Sequence, residues 1–245
     1  MNMKKNRFFT LAALAAMVLP VSCSKETDVD MPLSGEAVPV TLLATSEDAG
    51  KVSLDFDQSP NLQWADSDVI AVFDGAAKRQ FAVVEGSNTG ATANFSGDAV
   101  PGATLYAVYP YEAGNSLSGG NLSVTVPASQ VIGAGACVDT TAIVSVGMAE
   151  NGQVVFKQVC GLVKVDITTS GVRKVVLSGN ALAGTAMVAA DGSLSSVSEA
   201  AGSIELSYEG GVNFPAGTYY VAVLPGTTVA GAFSVQLVGG GGFSW

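Results

Sequence analysis

The sequence predicts an all-β protein. Beyond residue 35 it consists of short apolar runs that are separated by Gly, Asn, Asp and Ser. These runs are rich in β-branched and aromatic residues, which favour strands over helices. No segment of the mature chain repeats apolar residues at positions i, i+3, i+4 and i+7 for long enough to predict an amphipathic helix. Many short strands with turn signals between them are typical of β-sandwiches and barrels.

The first half of the mature chain carries the clearest single strand signals. Val69–Phe73 ends at the turn pair Asp74-Gly75, and Leu122–Val126 alternates strictly between apolar and polar residues. Such runs of four to eight residues bounded by turn residues predict strands. The predicted strands of this half are Val38–Leu43, Val52–Phe56, Val69–Phe73, Gln80–Val84, Ala93–Phe95, Leu105–Tyr109, Leu122–Val126 and Ala142–Val146.

A second series of strands begins after the turn pair Asn151-Gly152. In its longest run, Leu162–Ile167, the even-numbered and odd-numbered residues take opposite faces of a strand. The predicted strands of this half are Val154–Phe156, Leu162–Ile167, Val175–Leu177, Ala186–Val188, Ile204–Tyr208, Tyr219–Val223 and Phe233–Leu237. The two series suit either two small sandwiches or one larger sandwich, because strand period alone does not separate these arrangements.

The N-terminus predicts export and a lipid anchor. Lys4, Lys5 and Arg7 precede the apolar run Phe8–Leu19, which at 12 residues is shorter than the about 20 that a membrane-spanning helix needs. Cys23 follows small residues, so residues 1–22 resemble a bacterial lipoprotein signal peptide that is cleaved before an acylated cysteine. An ordinary secreted protein with an incidental Cys23 is the alternative.

Acylation of Cys23 would hold the mature protein at a membrane, because stable anchoring requires more than one acyl chain and a lipoprotein cysteine carries two or three. Residues 23–35 then form an acidic tether that contains Glu26, Asp28 and Asp30. This cluster resembles acidic tags that send lipoproteins of Gram-negative anaerobes to the cell exterior. We therefore expect a location on the outer membrane, at the cell surface.

Charge and composition exclude several function classes. Loss of residues 1–22 changes the net charge from −10 to −13, which argues against nucleic acid as a partner. The chain contains no histidine, so Ser-His-Asp and Cys-His catalysis and histidine-based zinc sites are excluded. We predict no enzyme activity, no metal and no cofactor. Cys137 and Cys160 are predicted to be separate buried thiols in preference to a disulfide.

Two stretches resemble the fimbrillin-like lipoproteins, which are the subunits and relatives of type V pili. Leu62–Phe73 resembles that family's "W…D.I.V" strand entry, and Phe156–Val165 resembles its "FKN.CGLLK" strand. Further segments continue the family order, namely Ala93–Gly97, Tyr106–Tyr111, Val175–Gly179, Leu182–Gly184 and Phe214–Tyr220. The similarity covers about residues 36–240.

The resemblance implies two tandem transthyretin-like sandwiches, at residues 36–150 and 151–245. It also implies a non-enzymatic surface lipoprotein of fimbriae or cell adhesion, whose partners are other fimbrial subunits that bind by β-strand addition. Polymerising members of the family are cut by an arginine-specific protease, but the arginines of the mature chain, Arg79 and Arg173, lie far from its start. This favours an uncut accessory, tip or anchor subunit.

The C-terminal end departs from the family, whose members continue through one more strand after the segment that corresponds to Phe233–Leu237. Here a glycine run, Gly239–Gly242, follows instead. The second sandwich is therefore expected either to lack its last strand through truncation or to end in a flexible tail.

A few residues are candidates for binding or modification. Trp64, Tyr109 and Tyr111 are candidate stacking residues for an alternative function, a surface glycan-binding lipoprotein, although core positions are the commoner use of such aromatics. Thr140 is a candidate O-glycosylation site because Asp139-Thr140-Thr141 resembles an acceptor motif of exported proteins in these bacteria. Asp66, Ser67 and Asp68 are expected to cap a turn in preference to binding calcium or hydrolysing a glycoside.

Overall fold

Strands form almost all of the regular structure. The computed structural model describes residues 35–46, 63–225 and 234–239, and within them the helical elements are two short 3-10 helices, Thr140–Ala142 and Glu209–Gly211. The strands in chain order are β1 Val38–Ser46, β2 Val69–Phe73, β3 Lys78–Val83, β4 Thr92–Ala99, β5 Tyr106–Tyr109, β6 Ser116–Ser118, β7 Asn121–Val126, β8 Ser129–Ile132, β9 Ser145–Glu150, β10 Gln153–Gln158, β11 Gly161–Ile167, β12 Val172–Val188, β13 Leu194–Tyr208, β14 Gly217–Val223 and β15 Ser234–Gly239.

Seven strands close into a barrel in the order β1-β10-β9-β5-β2-β3-β4. β1 completes the closure, because it pairs in parallel with β10 on one side and antiparallel with β4 on the other. Inward-facing side chains fill the interior, among them the fully buried Ile70, Phe81, Phe95 and Phe156. The barrel is thus a packed core, as expected for a closed sheet of this size.

The remaining strands form two sheets. A six-stranded assembly contains β6-β7-β12-β13-β8 in that order, with β15 paired to β12, and β11 and β14 form a separate two-stranded sheet. The long hairpin of β12 and β13 has a register irregularity between Ser178 and Ala183. The part of β12 before this irregularity pairs with β15, and the part after it pairs with β7.

The two-stranded sheet packs against the six-stranded assembly through a shared apolar core. We call this cluster the C-terminal core. It contains buried residues from β8, β11, β12, β13 and β14, including Ile132, Ile167, Leu177, Ile204 and Val221. A second cluster joins the other end of β12 to the barrel wall. Burial of these aliphatic side chains is the main favourable term in the folding free energy.

The all-β prediction is confirmed, whereas the two tandem sandwiches are not. Strands from the two sides of residue 150 share sheets: β10 lies in the barrel, and β7 and β8 pair with β12 and β13. The predicted strand Ala142–Val146 is wrong over most of its length. Asp139 accepts a hydrogen bond from the Thr141 N–H and so caps a 3-10 helix that ends at Ala142, and the next strand begins at Ser145.

Several predictions fall outside the described residues. These are the signal peptide, almost all of the tether including Cys23, the strand Val52–Phe56 and the glycine run beyond Gly239. β6 and β8 were not predicted, because Ser116–Ser118 and Ser129–Ile132 are only three and four residues long and carry no clear apolar alternation. Within the described residues, no helix combines the length and apolar character required to cross a membrane.

Candidate functional site

Trp64 is a core residue of the barrel. Its side chain is 8% exposed, and its ring makes edge-type contacts with Phe95, Tyr109 and Phe156 at centroid distances of 5.1, 5.2 and 5.4 Å. An exposed stacking platform needs an open ring face, which this packing does not leave. The indole Nε1 is buried and has no hydrogen-bond partner among the described residues.

Tyr109 is held as a hydrogen-bond donor beside Trp64. Its hydroxyl donates to Asp68 Oδ1 at 3.1 Å, and the other carboxylate oxygen of Asp68 accepts from the Ala65 N–H at 2.8 Å. Burial raises the pKa of Tyr109 well above its usual range, and the charge of Asp68 and their hydrogen bond raise it further. The phenol therefore stays protonated, and it fixes the orientation of the carboxylate.

The turn before β2 is stabilised as the sequence predicts. Asp68 N–H donates to the Ala65 carbonyl at 3.0 Å while its carboxylate accepts from the Ala65 N–H, so this aspartate closes the turn on both sides. Asp66 accepts a hydrogen bond from Asn88 Nδ2 at 3.2 Å. Within the described residues, no group of three or more Asp, Glu, Cys or His side chains is arranged to hold a metal ion.

A cavity of about 320 Å³ lies at the end of the barrel next to this turn. On the barrel side it is lined by Ser46, Gln63, Trp64, Asp68 and Tyr109, and on the other side by residues between Gly135 and Ser145. The structure thus brings together two of the three predicted stacking residues and the predicted modification site, since Thr140 also lines the cavity. We call it the barrel-end cavity.

Tyr111 does not line the barrel-end cavity. Its ring lies 5.2 Å from Lys78 Nζ, which also donates hydrogen bonds to the carbonyls of Glu112 and Ala113 at 3.0 and 2.6 Å. The ring therefore helps to place a lysine that holds the loop after β5. This is a structural contact of the cation–π kind.

Cys137 and Cys160 are separate free thiols, but only Cys160 is buried as predicted. Cys137 is half-buried and lines the barrel-end cavity, whereas Cys160 lies in the apolar cluster between the barrel and β12. Burial raises the pKa of the Cys160 thiol to about 11, because the surrounding apolar groups disfavour the thiolate.

One edge of β14 is closed by groups that take the place of a strand. The Tyr220 N–H donates to the Cys137 carbonyl at 2.8 Å. Two residues further on, the buried Gln130 side chain donates to the Ala222 carbonyl at 2.7 Å and accepts from the Ala222 N–H at 3.0 Å. An amide side chain can do this because it carries both a donor and an acceptor, like a peptide group.

The outer edge of β11 is open. Directly opposite residues of an antiparallel pair either both bond across the pair or both point away from it. Tyr220 and Ala222 point away from β11, so their partners Lys164 and Leu162 also direct their backbone groups away from β14. The backbone groups of Asp166 point in the same direction, because alternate residues of a strand direct their N–H and C=O groups to the same side. Among the described residues, β11 pairs with β14 alone, so these N–H and C=O groups have no strand partner.

The C-terminal core is incompletely covered on β15. Val235 and Leu237 lie opposite the fully buried Leu177 and Val175, and residues that face each other across a strand pair share one face of the sheet. Val235 is nevertheless 43% exposed, and Leu237 is only partly buried at the margin of the C-terminal core. Val163 of β11 lies at the margin of the same core. Among the described residues, an open strand edge and uncovered apolar side chains thus both border the C-terminal core.

No family model and no curated protein match this sequence. The fimbrillin-like resemblance therefore stays a prediction. Two residues have roles here that the sequence did not predict, one at the edge of β14 and one at the barrel-end cavity. Gln130 is a polar residue in the short run Ser129–Ile132, so nothing in the sequence marks it as the buried group that closes β14. Asp68 was assigned to its turn correctly, but its position at a cavity depends on the fold.

Proposed function

We propose that this protein is a non-enzymatic surface lipoprotein, acting as a fimbrial accessory, anchor or adhesin-type subunit. It assembles by accepting a β-strand from another subunit at the outer edge of β11. The observation that carries the proposal is the row of outward backbone groups at Leu162, Lys164 and Asp166. An extended chain that pairs there turns unpaired donors and acceptors into a ladder, which is the mode of recognition called β-augmentation.

Burial of apolar surface would reinforce this pairing. Each new backbone hydrogen bond contributes about 0.5–1.5 kcal/mol net, and a strand beyond β11 would also cover apolar surface at the margin marked by Val163 and Val235. Among the described residues no strand covers this position, and we infer that a second polypeptide supplies one. Alternate side chains of the added strand would set its register.

The placement of the arginines supports an uncut subunit. Arg79 lies within the barrel strand β3, and its Nε donates to the buried Asp74 carboxylate at 3.0 Å. Arg173 lies in β12 and donates to the Gly211 carbonyl. Proteolysis at either residue would have to break a folded sheet. An accessory or anchor role requires no such cut.

We propose that Cys23 carries the acyl chains that hold the mature protein on the outer membrane, facing the exterior. The support is the sequence: a basic start, a 12-residue apolar run and small residues before Cys23. Mass spectrometry of the protein from its native envelope tests this. A diacyl or triacyl mass on Cys23 with residues 24–60 intact is expected, and an unmodified chain that starts after Lys51 would contradict both the anchor and the uncut state.

Hydrogen exchange tests the open edge directly. In the purified mature chain, the amides of Leu162, Lys164 and Asp166 are expected to exchange fast, whereas those of Val163 and Val165 are slow because they bond to β14. In assembled material from the native envelope, the three outward amides should become protected. Protection already present in the purified chain would show that the edge is filled from within, and no protection in either sample would show that no strand is added.

A pair of substitutions separates edge pairing from side-chain effects. Lys164→Pro removes an outward N–H without removing a bond to β14, and Lys164→Gln keeps that N–H while removing the charge. Incorporation into surface assemblies should fall at least about tenfold for proline and stay unchanged for glutamine, with both variants folded by circular dichroism. Equal incorporation of the two variants would contradict strand addition at β11.

A further inference from the structure

The barrel-end cavity has the size of a ligand site. Its volume of about 320 Å³ lies at the small end of the range of about 300–1,000 Å³ that is usual for such sites. One wall is rigid, because Trp64 is packed against three aromatic rings and Asp68 is fixed by the Ala65 N–H and the Tyr109 hydroxyl. A small molecule, or the terminal unit of a larger one, fits this space.

The charge of the described lining residues favours a ligand that is not an anion. Asp68 is the one charged side chain among the described lining residues, and none of these residues is a lysine or an arginine that would offset a phosphate or a carboxylate. Hydroxyl groups at Ser46, Thr140 and Ser145 and the amide of Gln63 supply further neutral donors and acceptors. The ligand is therefore either a neutral molecule with many hydroxyl groups or a cation.

Two observations favour the neutral ligand. An ammonium site of the aromatic-cage kind needs open ring faces, but Trp64 is only 8% exposed and its ring is surrounded by Phe95, Tyr109 and Phe156. The lining also contains both kinds of hydrogen-bonding group. Each oxygen of Asp68 has a lone pair beyond the one already used, and the hydroxyl groups of Ser46, Thr140 and Ser145 are donors. A hydroxyl group both donates and accepts, whereas an ammonium group only donates.

We propose that the barrel-end cavity binds one sugar unit of a neutral carbohydrate. Asp68 accepts hydrogen bonds from neighbouring sugar hydroxyls, Tyr109 orients that carboxylate, and the apolar Val138 and Ile143 contact the C–H face of the ring. This site lies on the barrel and is independent of strand addition at β11. It gives a surface subunit a means to recognise glycans without an exposed stacking residue.

Binding can be measured with the mature chain in which Trp245→Phe leaves Trp64 as the remaining tryptophan, since the sequence contains two. The probes are methyl glycosides of the common neutral hexoses, N-acetylhexosamines and deoxyhexoses, each followed by Trp64 fluorescence and by saturation-transfer NMR. A neutral glycan array tests whether a terminal unit binds in place of a free sugar. At least one sugar is expected to bind saturably in the millimolar range or tighter.

Matched variants assign that binding to the cavity. Asp68→Asn removes the charged acceptor and should weaken binding about tenfold or more, and Tyr109→Phe should weaken it by a smaller factor. Asp66→Asn, two residues away and outside the lining, should leave affinity unchanged. All three variants are first checked for an unaltered thermal unfolding temperature. Saturation-transfer NMR on the unmodified chain tests sugar binding without any variant.

Three results would overturn the proposal. One is the absence of binding to every sugar and every glycan on the array. Another is equal affinity of the Asp68→Asn and Asp66→Asn variants, which would place the sugar elsewhere on the protein. The last is saturable binding of tetramethylammonium or choline with no binding of any sugar, which would assign the cavity to a cation.

Discussion

The strongest stability prediction concerns Asp74, a carboxylate that is fully buried at the end of β2. Oδ1 accepts from the N–H groups of Ala76 and Ala77 at 3.0 and 2.8 Å, and Oδ2 accepts from the Val100 N–H at 3.1 Å and from Arg79 Nε at 3.0 Å. The carboxylate thus joins the β2–β3 turn to the end of β4. Replacement by asparagine keeps the shape but puts an NH₂ group where one oxygen accepted.

The cost of Asp74→Asn follows from which donors lose their acceptor. Ala76 and Ala77 can still bond to the remaining oxygen, but the new NH₂ group faces the donors of Val100 and Arg79. The Val100 N–H is buried, so leaving it without an acceptor costs about 1–3 kcal/mol. Arg79 is 29% exposed and regains water, so its pairing contributes about 0.5–1 kcal/mol. The expected loss in the free energy of unfolding is about 3 kcal/mol.

Urea denaturation at pH 7 measures this loss, with Asp98→Asn as control because Asp98 is an exposed aspartate on β4. The control should change stability by less than about 0.5 kcal/mol. At pH 7 the unfolding temperature of Asp74→Asn should fall by roughly 6–12 °C. A loss below about 1 kcal/mol, equal to the control within error, would refute the reasoning about the buried donor.

The pH dependence gives the same prediction an independent check. Burial alone would raise the pKa of Asp74, but hydrogen bonds from three backbone N–H groups and Arg79 hold it below its ordinary value of 3.8. Because the folded state favours the charged form, the stabilisation is complete above pH 3.8 and is lost as the pH falls through the lower folded pKa. The advantage over Asp74→Asn should therefore shrink as the pH falls below 3.8 and stay nearly constant at higher pH.

Two further predictions test the packing. Gly97→Ala would place a Cβ 2.5 Å from the Gln80 carbonyl and from a ring carbon of Phe81, so it should destabilise the barrel by about 1–3 kcal/mol in urea denaturation, whereas Gly114→Ala, which meets no atom within 4 Å, should be nearly neutral. Because burial raises the pKa of Cys160 to about 11, its alkylation by iodoacetamide at pH 8 should be undetectable until the protein unfolds, and labelling of the folded chain would contradict that burial.

Local patterns predict strands here because strand formation depends on nearby residues. The even and odd residues of Leu162–Ile167 take opposite faces as predicted, since the odd-numbered valines and Ile167 contact the C-terminal core. Strand partners depend on distant residues instead. Nothing near Gln153–Gln158 indicates that this strand pairs in parallel with β1, more than one hundred residues earlier, and so completes a barrel. The tandem-sandwich prediction assumed that strands pair within their own half of the chain.

The candidate sites likewise depend on residues that are distant in the sequence. The sequence offers Trp64, Tyr109 and Tyr111 as candidate stacking residues, but whether an aromatic ring stacks on a ligand depends on what covers its faces. Phe95 and Phe156, from two other strands, cover Trp64.

The two proposed sites use different chemistry and do not share residues. β11 offers backbone groups, whose recognition tolerates many side chains in the partner, so strand addition by itself gives affinity with limited selectivity. The barrel-end cavity offers one oriented carboxylate in a small, half-open space, so it selects by shape and by hydrogen bonding. The substitutions at Lys164 and Asp68 should therefore act independently. Loss of sugar binding in Lys164→Pro, or loss of assembly in Asp68→Asn, would mean that the two sites are coupled through the β12–β13 hairpin, which contacts both the C-terminal core and the barrel side.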